Sequence, residues 1–234
     1  MLRFIGRDSA FHSHNNCAFF ANGSELVLLD CPISAFHRLR HIGSDTLTGQ
    51  STTGIKVLVT HTHSDHAGGI GMLIHYCFFV LHIPVCVIAP SKEVAQDIEF
   101  LVSRLDGCSK DGYEINTADE VSFDWLTAAV KTSHAQQLEG RCFGWVLEIG
   151  GKRVIYTGDT NTLEPFEKYF TQGAYLYTEA SAYDSTVHLS LDRLCKWTDT
   201  FKTLDMNVYL MHLDDEQAIS AFSEKKGLQL AQLY

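Results

Sequence analysis

Short apolar runs rich in β-branched residues alternate along this chain with amphipathic stretches at helical spacing. The runs predict strands at Leu2–Ile5, Cys17–Phe20, Glu25–Asp30, Lys56–Thr60, Val85–Ala89, Glu120–Phe123, Ala128–Thr132, Phe143–Ile149, Arg153–Thr157, Tyr175–Thr178 and Val208–Met211. Helices are predicted at Ile33–His41, His66–Leu81, Lys92–Leu105, Thr162–Tyr169, Ser190–Lys202 and Asp215–Lys225. Gly150-Gly151 between two apolar runs is a hairpin signal. Four prolines and no Ser/Gly-rich linker predict one α/β domain over residues 1–234.

One segment has the length of a membrane span: residues 70–89 carry no Asp, Glu, Lys or Arg. Pro84, His75 and His82 interrupt it, and PVCVIAP has the character of a core strand. The segment therefore predicts a buried helix followed by a strand, with part of the helix covered in a homodimer.

Charge narrows the function. Against 28 Asp plus Glu stand 18 Lys plus Arg, a net charge of -10, which argues against a broad basic footprint for long nucleic acid. The seven cysteines form no CxxC pair, and no apolar run of secretory length follows Met1, so a reducing, cytoplasmic setting without a signal peptide is expected.

The chemistry starts at His61-Thr62-His63-Ser64-Asp65-His66, between the strand IKVLVT and a helix. Three imidazoles and a carboxylate in six residues would each need a partner if buried. A metal supplies it, because imidazole nitrogen and carboxylate oxygen are ordinary zinc ligands. A tight loop can point alternate side chains to two sides of one cavity, so the motif could serve two ions.

This motif resembles the HxHxDH signature of the metallo-β-lactamase superfamily, and the resemblance extends over nearly the whole chain. His134 in KTSHA, Asp159 in VIYTGDT and His212 in VYLMHLDD match the remaining ligand positions; FIGRDSAFHSHNNCAFF and LVLLDCP, ending in Asp30, are similar to the N-terminal strands. The resemblance implies an αβ/βα four-layer sandwich of two mixed β-sheets flanked by helices. It implies that His61, His63 and His134 bind one Zn²⁺, that Asp65, His66 and His212 bind a second, and that Asp159 bridges them, with Mn²⁺ as the alternative metal. Two such ions about 3.5–4 Å apart make a bridging hydroxide available near neutral pH. No ligand position is cysteine, unlike the true lactamases, and His63 stands where the di-iron branch usually has an acidic residue, so hydrolysis is favoured.

Within the superfamily the chain resembles the ribonuclease Z-like phosphodiesterase branch. Thr178-Glu179-Ala180-Ser181 matches its His-Glu-Ala-Thr segment with the histidine lost, and His188-Leu189-Ser190 matches its His-x-Thr. By this resemblance Asp65, His188 and Glu179 are the catalytic residues, His188 being the general acid and Glu179 its orienter. The branch's transfer RNA processing enzymes insert a long arm between the positions of His134 and Asp159. Residues 135–158 are used up here by two strands and a turn, as in armless relatives that include phage proteins destroying cyclic nucleotide signals. The expected function is a dinuclear zinc phosphodiesterase acting on small nucleotides, cyclic mononucleotides first. The alternatives are a lactonase or thioesterase, a transfer RNA 3′ processing endonuclease, and a non-catalytic nucleotide-binding protein. The expected partners are a small nucleotide and a second copy of the chain, without membrane or long nucleic acid.

Asp30 is either a brace for the metal loop or a helix-entry cap. His12, His14, Asn15 and Asn16 read as turn residues, His37, His41, His75 and His82 as structural, and Ser190 as a helix N-cap.

Overall fold

In the computed structural model, which describes residues 1–234, the backbone gathers into two compact units. One is Leu2–Val121 with Leu233–Tyr234, the other Ser122–Gln232 with Met1.

The N-terminal unit has strands β1 (Arg3–Gly6), β2 (Cys17–Asn22), β3 (Glu25–Leu29), β4 (Gly54–Leu58), β5 (Val85–Ala89) and β6 (Tyr113–Thr117), hydrogen-bonded in sequence order. The first two pairings are antiparallel and the other three parallel. Strands covered on both faces need apolar residues at nearly every position, and Leu26–Leu29, Val57, Leu58 and Val87–Ala89 are all buried. Helices α1 (Ile33–Ile42), α2 (Ser44–Thr48), α3 (Ser64–Ala67), α4 (Ile70–Tyr76) and α5 (Lys92–Glu99) lie between the strands. Both α4 and α5 are prolonged by a π-helical turn, Cys77–Leu81 and Phe100–Leu105.

Two expectations are corrected here. The stretch ahead of Pro84 is not a wholly buried helix: Ile70, Leu73, Ile74 and Cys77 face the core, while Met72, Phe79 and Val80 are 40%, 64% and 57% exposed. The strand expected at Glu120–Phe123 is instead Tyr113–Thr117. The Thr117 amide donates to the Glu120 carboxylate (2.8 Å) and its hydroxyl to Asp119 (2.5 Å), folding the acidic pair back into a turn. As an edge strand, β6 buries only its two ends, so its pattern is weak.

The C-terminal unit repeats the plan with β7 (Leu126–Lys131), β8 (Phe143–Ile149), β9 (Lys152–Tyr156), β10 (Tyr175–Glu179), β11 (Asn207–Met211) and β12 (Gln229–Leu230), again in sequence order, two pairings antiparallel and three parallel. Gly150 and Gly151 join β8 to β9 at φ 59° and 71°, as a two-residue hairpin requires. Helices α6 (Leu191–Cys195), α7 (Thr198–Thr203) and α8 (Glu216–Lys226) complete the unit. The expected helix Ser190–Lys202 is broken at Lys196–Trp197, where the Thr198 hydroxyl takes the Cys195 carbonyl (2.8 Å) and Trp197 packs edge-on to Phe170. Thr162–Tyr169 winds as a 3₁₀ helix over Glu164–Tyr169. The core here includes Val146, Ile155, Phe166, Leu176 and Leu210, with Trp145 fully buried.

Parallel strands end on one sheet edge, and that edge is where α/β folds place their chemistry. In the N-terminal unit Asp30 follows β3 and the His61–His66 loop follows β4. In the C-terminal unit His134, Asp159 and His212 follow β7, β9 and β11, and Glu179 ends β10. The seven cysteines are free thiols, and no helix is long and apolar enough to cross a membrane.

Candidate metal centre

In the N-terminal unit β4 gives way to Thr60, and the chain turns through His61 and His63 into α3, where the His63 carbonyl accepts from the amides of His66 (3.0 Å) and Ala67 (2.8 Å). His61 and His66 are fully buried, His63 and Asp65 half-buried. His61 Nε2 lies 3.0 Å from His63 Nδ1, and His66 Nε2 lies 3.3 Å from Asp65 Oδ2.

Asp30 holds this loop. Its carboxylate accepts from the Thr60 amide (2.8 Å), the Thr60 hydroxyl (2.9 Å) and His66 Nδ1 (2.8 Å). Burial pushes the Asp30 carboxyl up, and His66 and Thr60 work against that rise. Asp30 is thus a brace; the residue preceding α1 is Pro32. The backbone adds a second tie, Cys31 N to His66 O at 2.7 Å. Asp30 sits at φ 63°, a region disfavoured for side-chain-bearing residues that concentrates at functional sites.

The C-terminal unit supplies a second set. His134 Nε2 and His212 Nε2 lie 3.5 and 3.6 Å from Asp159 Oδ2. Glu179 is buried at the end of β10; one carboxylate oxygen accepts from the Thr160 amide and the other lies 2.7 Å from His188 Nδ1. Asp159, His188 and His212 offer ligand atoms within 4.8 Å of one another, as do His134, Glu179 and His188. Burial opposes charge on His188, yet the Glu179 hydrogen bond and the charges of Glu179, Asp159 and Asp214 raise its pKa to about 9. His212, like Asp30, has positive φ (52°).

These donors suit divalent metal. With zinc–nitrogen bonds of about 2.0–2.1 Å, neighbouring ligand atoms of a tetrahedral site stand roughly 3.3–3.4 Å apart, close to the separations within each unit. The rings are also oriented from behind: His66 Nδ1 donates to Asp30 and His134 Nδ1 to the Val187 carbonyl (2.8 Å), which fixes the tautomer with its lone pair on Nε2.

Sequence reading missed Asp214. Its carboxylate accepts from the Ser181 hydroxyl (2.5 Å) and the Ala182 amide (2.8 Å), fastening the loop that runs from Glu179 to His188 onto the segment after His212. The signal was the doublet Asp214-Asp215 in VYLMHLDD, of which Asp215 caps α8 by accepting from Ala218 N (3.0 Å). Ser190 is the cap expected, accepting from Arg193 N at 3.4 Å.

Comparison with known proteins identifies the family and the fold. The Apyc1 protein of Bacillus phage vB_BveM-Goe7, named an anti-Pycsar protein, is 28% identical over 253 aligned residues, covering 97% of this chain and 93% of the phage protein. Among solved structures, the metallo-β-lactamase fold protein YhfI of Bacillus subtilis superposes with a TM-score of 0.74 at 15% identity, covering 98% of this chain and 94% of YhfI. A diphosphatase of the PhnP family gives 0.72 at 14% identity, covering 99% and 94%. The profile of the family described as Anti-Pycsar protein Apyc1 matches residues 1–232. The chain has the metallo-β-lactamase fold and belongs to the Apyc1 anti-Pycsar family.

Proposed function

We propose that this metal-dependent hydrolase is a phosphodiesterase opening small cyclic mononucleotides, with two zinc ions as its cofactors. The observation that carries the reading is the His188–Glu179 pair, 2.7 Å apart, on the sheet edge that also bears His134, Asp159 and His212. Phosphodiesters of sugars leave as poor alkoxides and need a proton; a hydrolase of activated carbonyls has less use for such a pair.

His61, His63 and His134 would hold one ion, Asp65, His66 and His212 the other, and Asp159 both. Divalent ions so held supply Lewis acidity and a water acidic enough to ionise near neutral pH. The chain's own residues do the rest. Glu179 takes the Nδ1 proton of His188 as a hydrogen bond, keeping the ring protonated and aimed. His188 then delivers its Nε2 proton to the departing sugar oxygen, and the neutral ring, still hydrogen-bonded to Glu179 through Nδ1, regains that proton from water.

Two features support a small substrate. Between His134 and Asp159 the chain forms one short turn at Gln136–Leu138 and then β8 and β9, leaving no length for an RNA-gripping arm. The net charge of -10 disfavours a polyanion held by many basic contacts. A second copy of the chain is the partner proposed for the apolar surface at Met72, Phe79 and Val80.

The test separates proton delivery from attack. His188→Ala should slow a 3′,5′-cyclic mononucleotide by roughly 10²-fold or more, while an aryl phosphodiester with a good leaving group loses much less. Equal losses on both, at unchanged metal content, would remove His188 from the role of acid.

A further inference from the structure

We propose that the cavity beside α6 in the C-terminal unit is a second binding site, separate from the metal ligands, for a small dianion of the aryl phosphate class, whose phosphate is held by Arg193 and Lys196 and whose ring lies on Trp197. The inference goes beyond the phosphodiesterase reading and does not rest on it.

The cavity measures about 420 Å³, within the roughly 300–1,000 Å³ of small-ligand clefts. None of the assigned metal ligands lines it. Its walls are tied down by hydrogen bonds of their own. The Arg193 amide donates to the Ser190 hydroxyl (3.4 Å), and the Leu189 carbonyl accepts from the Ser181 amide (2.9 Å). Asn161 is held from two sides, its amide donating to Ser133 O (2.8 Å) and its side chain to Thr186 O (2.7 Å). Trp197 is set by its edge-on packing against Phe170, with ring centroids 5.6 Å apart. A cavity built in this way is formed before the ligand arrives, which lowers the ordering cost of binding.

Charge sets the class of ligand. The chain carries a net charge of -10, yet Arg193 and Lys196 both line this cavity and a single carboxylate, the exposed Glu164, opposes them. Lys56, Lys110 and Arg153 each pair with a glutamate, whereas neither Arg193 nor Lys196 has a carboxylate within ion-pairing distance. Three residues apart along helical backbone, the two cations share one face of the turn, where like charges repel. An anion between them removes that repulsion. Arg193 Nη1 donates to the Asn161 carbonyl (3.3 Å), which aims the guanidinium and leaves its other N–H groups for two oxygens of a phosphate. Lys196 adds a point charge. Near neutral pH a phosphomonoester carries about -1.5 to -2, which matches the pair; a carboxylate carries only a single charge.

The apolar part of the lining sets the body of the ligand. Leu189 is fully buried and Trp197 half-buried. An indole left partly open beside two unpaired cations offers stacking area to a planar group joined to the anion. Inorganic phosphate therefore uses only the charged part of the site, and an aryl phosphate uses both.

The experiment titrates phenyl phosphate, inorganic phosphate and benzoate into zinc-loaded protein by calorimetry, comparing the wild type with Arg193→Gln, Lys196→Gln, Glu164→Gln and Trp197→Phe. Phenyl phosphate should bind more tightly than either of the other two. Arg193→Gln should weaken it by about tenfold, the size of a hydrogen bond to a charged group, and Lys196→Gln, which removes an exposed cation, by about threefold. Glu164→Gln should tighten it. Phenyl phosphate taken up by zinc itself is blind to all of these substitutions, so that part of the isotherm persists in every variant. Lys196 and Glu164 are exposed, so their variants keep the fold even where loss of the Arg193–Asn161 bond loosens the loop. Tryptophan fluorescence adds a readout of position: phenyl phosphate should change it, and Trp197→Phe should abolish the change while retaining most of the binding. Unchanged affinity in both Lys196→Gln and Glu164→Gln would overturn the site, whatever Arg193→Gln does. Equal affinity for phenyl phosphate and inorganic phosphate, with fluorescence unmoved, would overturn the place given to the ring.

Discussion

Asp30 stands 31 residues before His61 in sequence, yet its carboxylate makes three hydrogen bonds to the loop that His61 opens. The ligand-type residues were legible because their chemistry has no bland explanation: three histidines and an aspartate in six positions ask for a partner. The residues that hold them were only half legible. Asp30 read equally well as a helix cap, and Asp214 did not stand out, since a carboxylate after a strand has many uses that only tertiary contacts separate. Because Asp30 fixes the tautomer and angle of His66, Asp30→Asn should lower affinity for the ion assigned to His66 by about 10- to 100-fold, the range for losing such a support. Competition titration with a chromogenic chelator measures this. Unchanged affinity at both sites would show that the loop holds itself.

Elements with unbroken apolar runs were foreseen within a residue or two; Val85–Ala89 and Phe143–Ile149 fall where the pattern puts them. The misses share a physical cause. Strand β6 is a half-buried edge whose polar alternation resembles a loop, and the break at Lys196–Trp197 comes from side-chain packing that no propensity encodes. Close approaches were equally invisible. A Cβ on Gly144 in β8 would lie 2.5 Å from the carbonyl oxygens of Tyr156 and Thr157 and 2.6 Å from the Phe166 ring, against the segment that leads to Asp159. Backbone cannot yield as a flexible side chain can, so Gly144→Ala should cost about 1–3 kcal/mol. In a chain of this length that lowers Tm by several degrees, which thermal unfolding followed by circular dichroism will register. A Tm equal to that of the wild type would mean that the β8–β9 edge is looser than its distances indicate.

On the scale of the molecule, each unit carries a six-stranded mixed sheet in sequence order with the same two antiparallel and three parallel pairings. No repeat is visible in the amino acids. Topology can recur without sequence likeness because it needs only the alternation of buried strands with covering helices. Under the proposed function, bound metal should act as a stabiliser of the folded chain. At an ion concentration a hundredfold above Kd, linkage adds about 2.7 kcal/mol, and chelation should lower Tm by roughly 5–10 °C, reversibly on restoring zinc. The charge bears on substrate size: precursor transfer RNA should be cut poorly at low and at physiological salt, and cyclic nucleotides should be opened with little salt dependence. Efficient, salt-sensitive maturation of a transfer RNA 3′ end would contradict the small-substrate reading.

The most direct measurement follows a 3′,5′-cyclic mononucleotide with zinc-loaded protein, separating cyclic from linear monophosphate by chromatography and running a lactone, a thioester and a β-lactam alongside. The account predicts ring opening to the linear monophosphate, abolished by chelation and restored by zinc, with the carbonyl substrates turned over far more slowly. An intact cyclic nucleotide beside rapid hydrolysis of the lactone or thioester would contradict it.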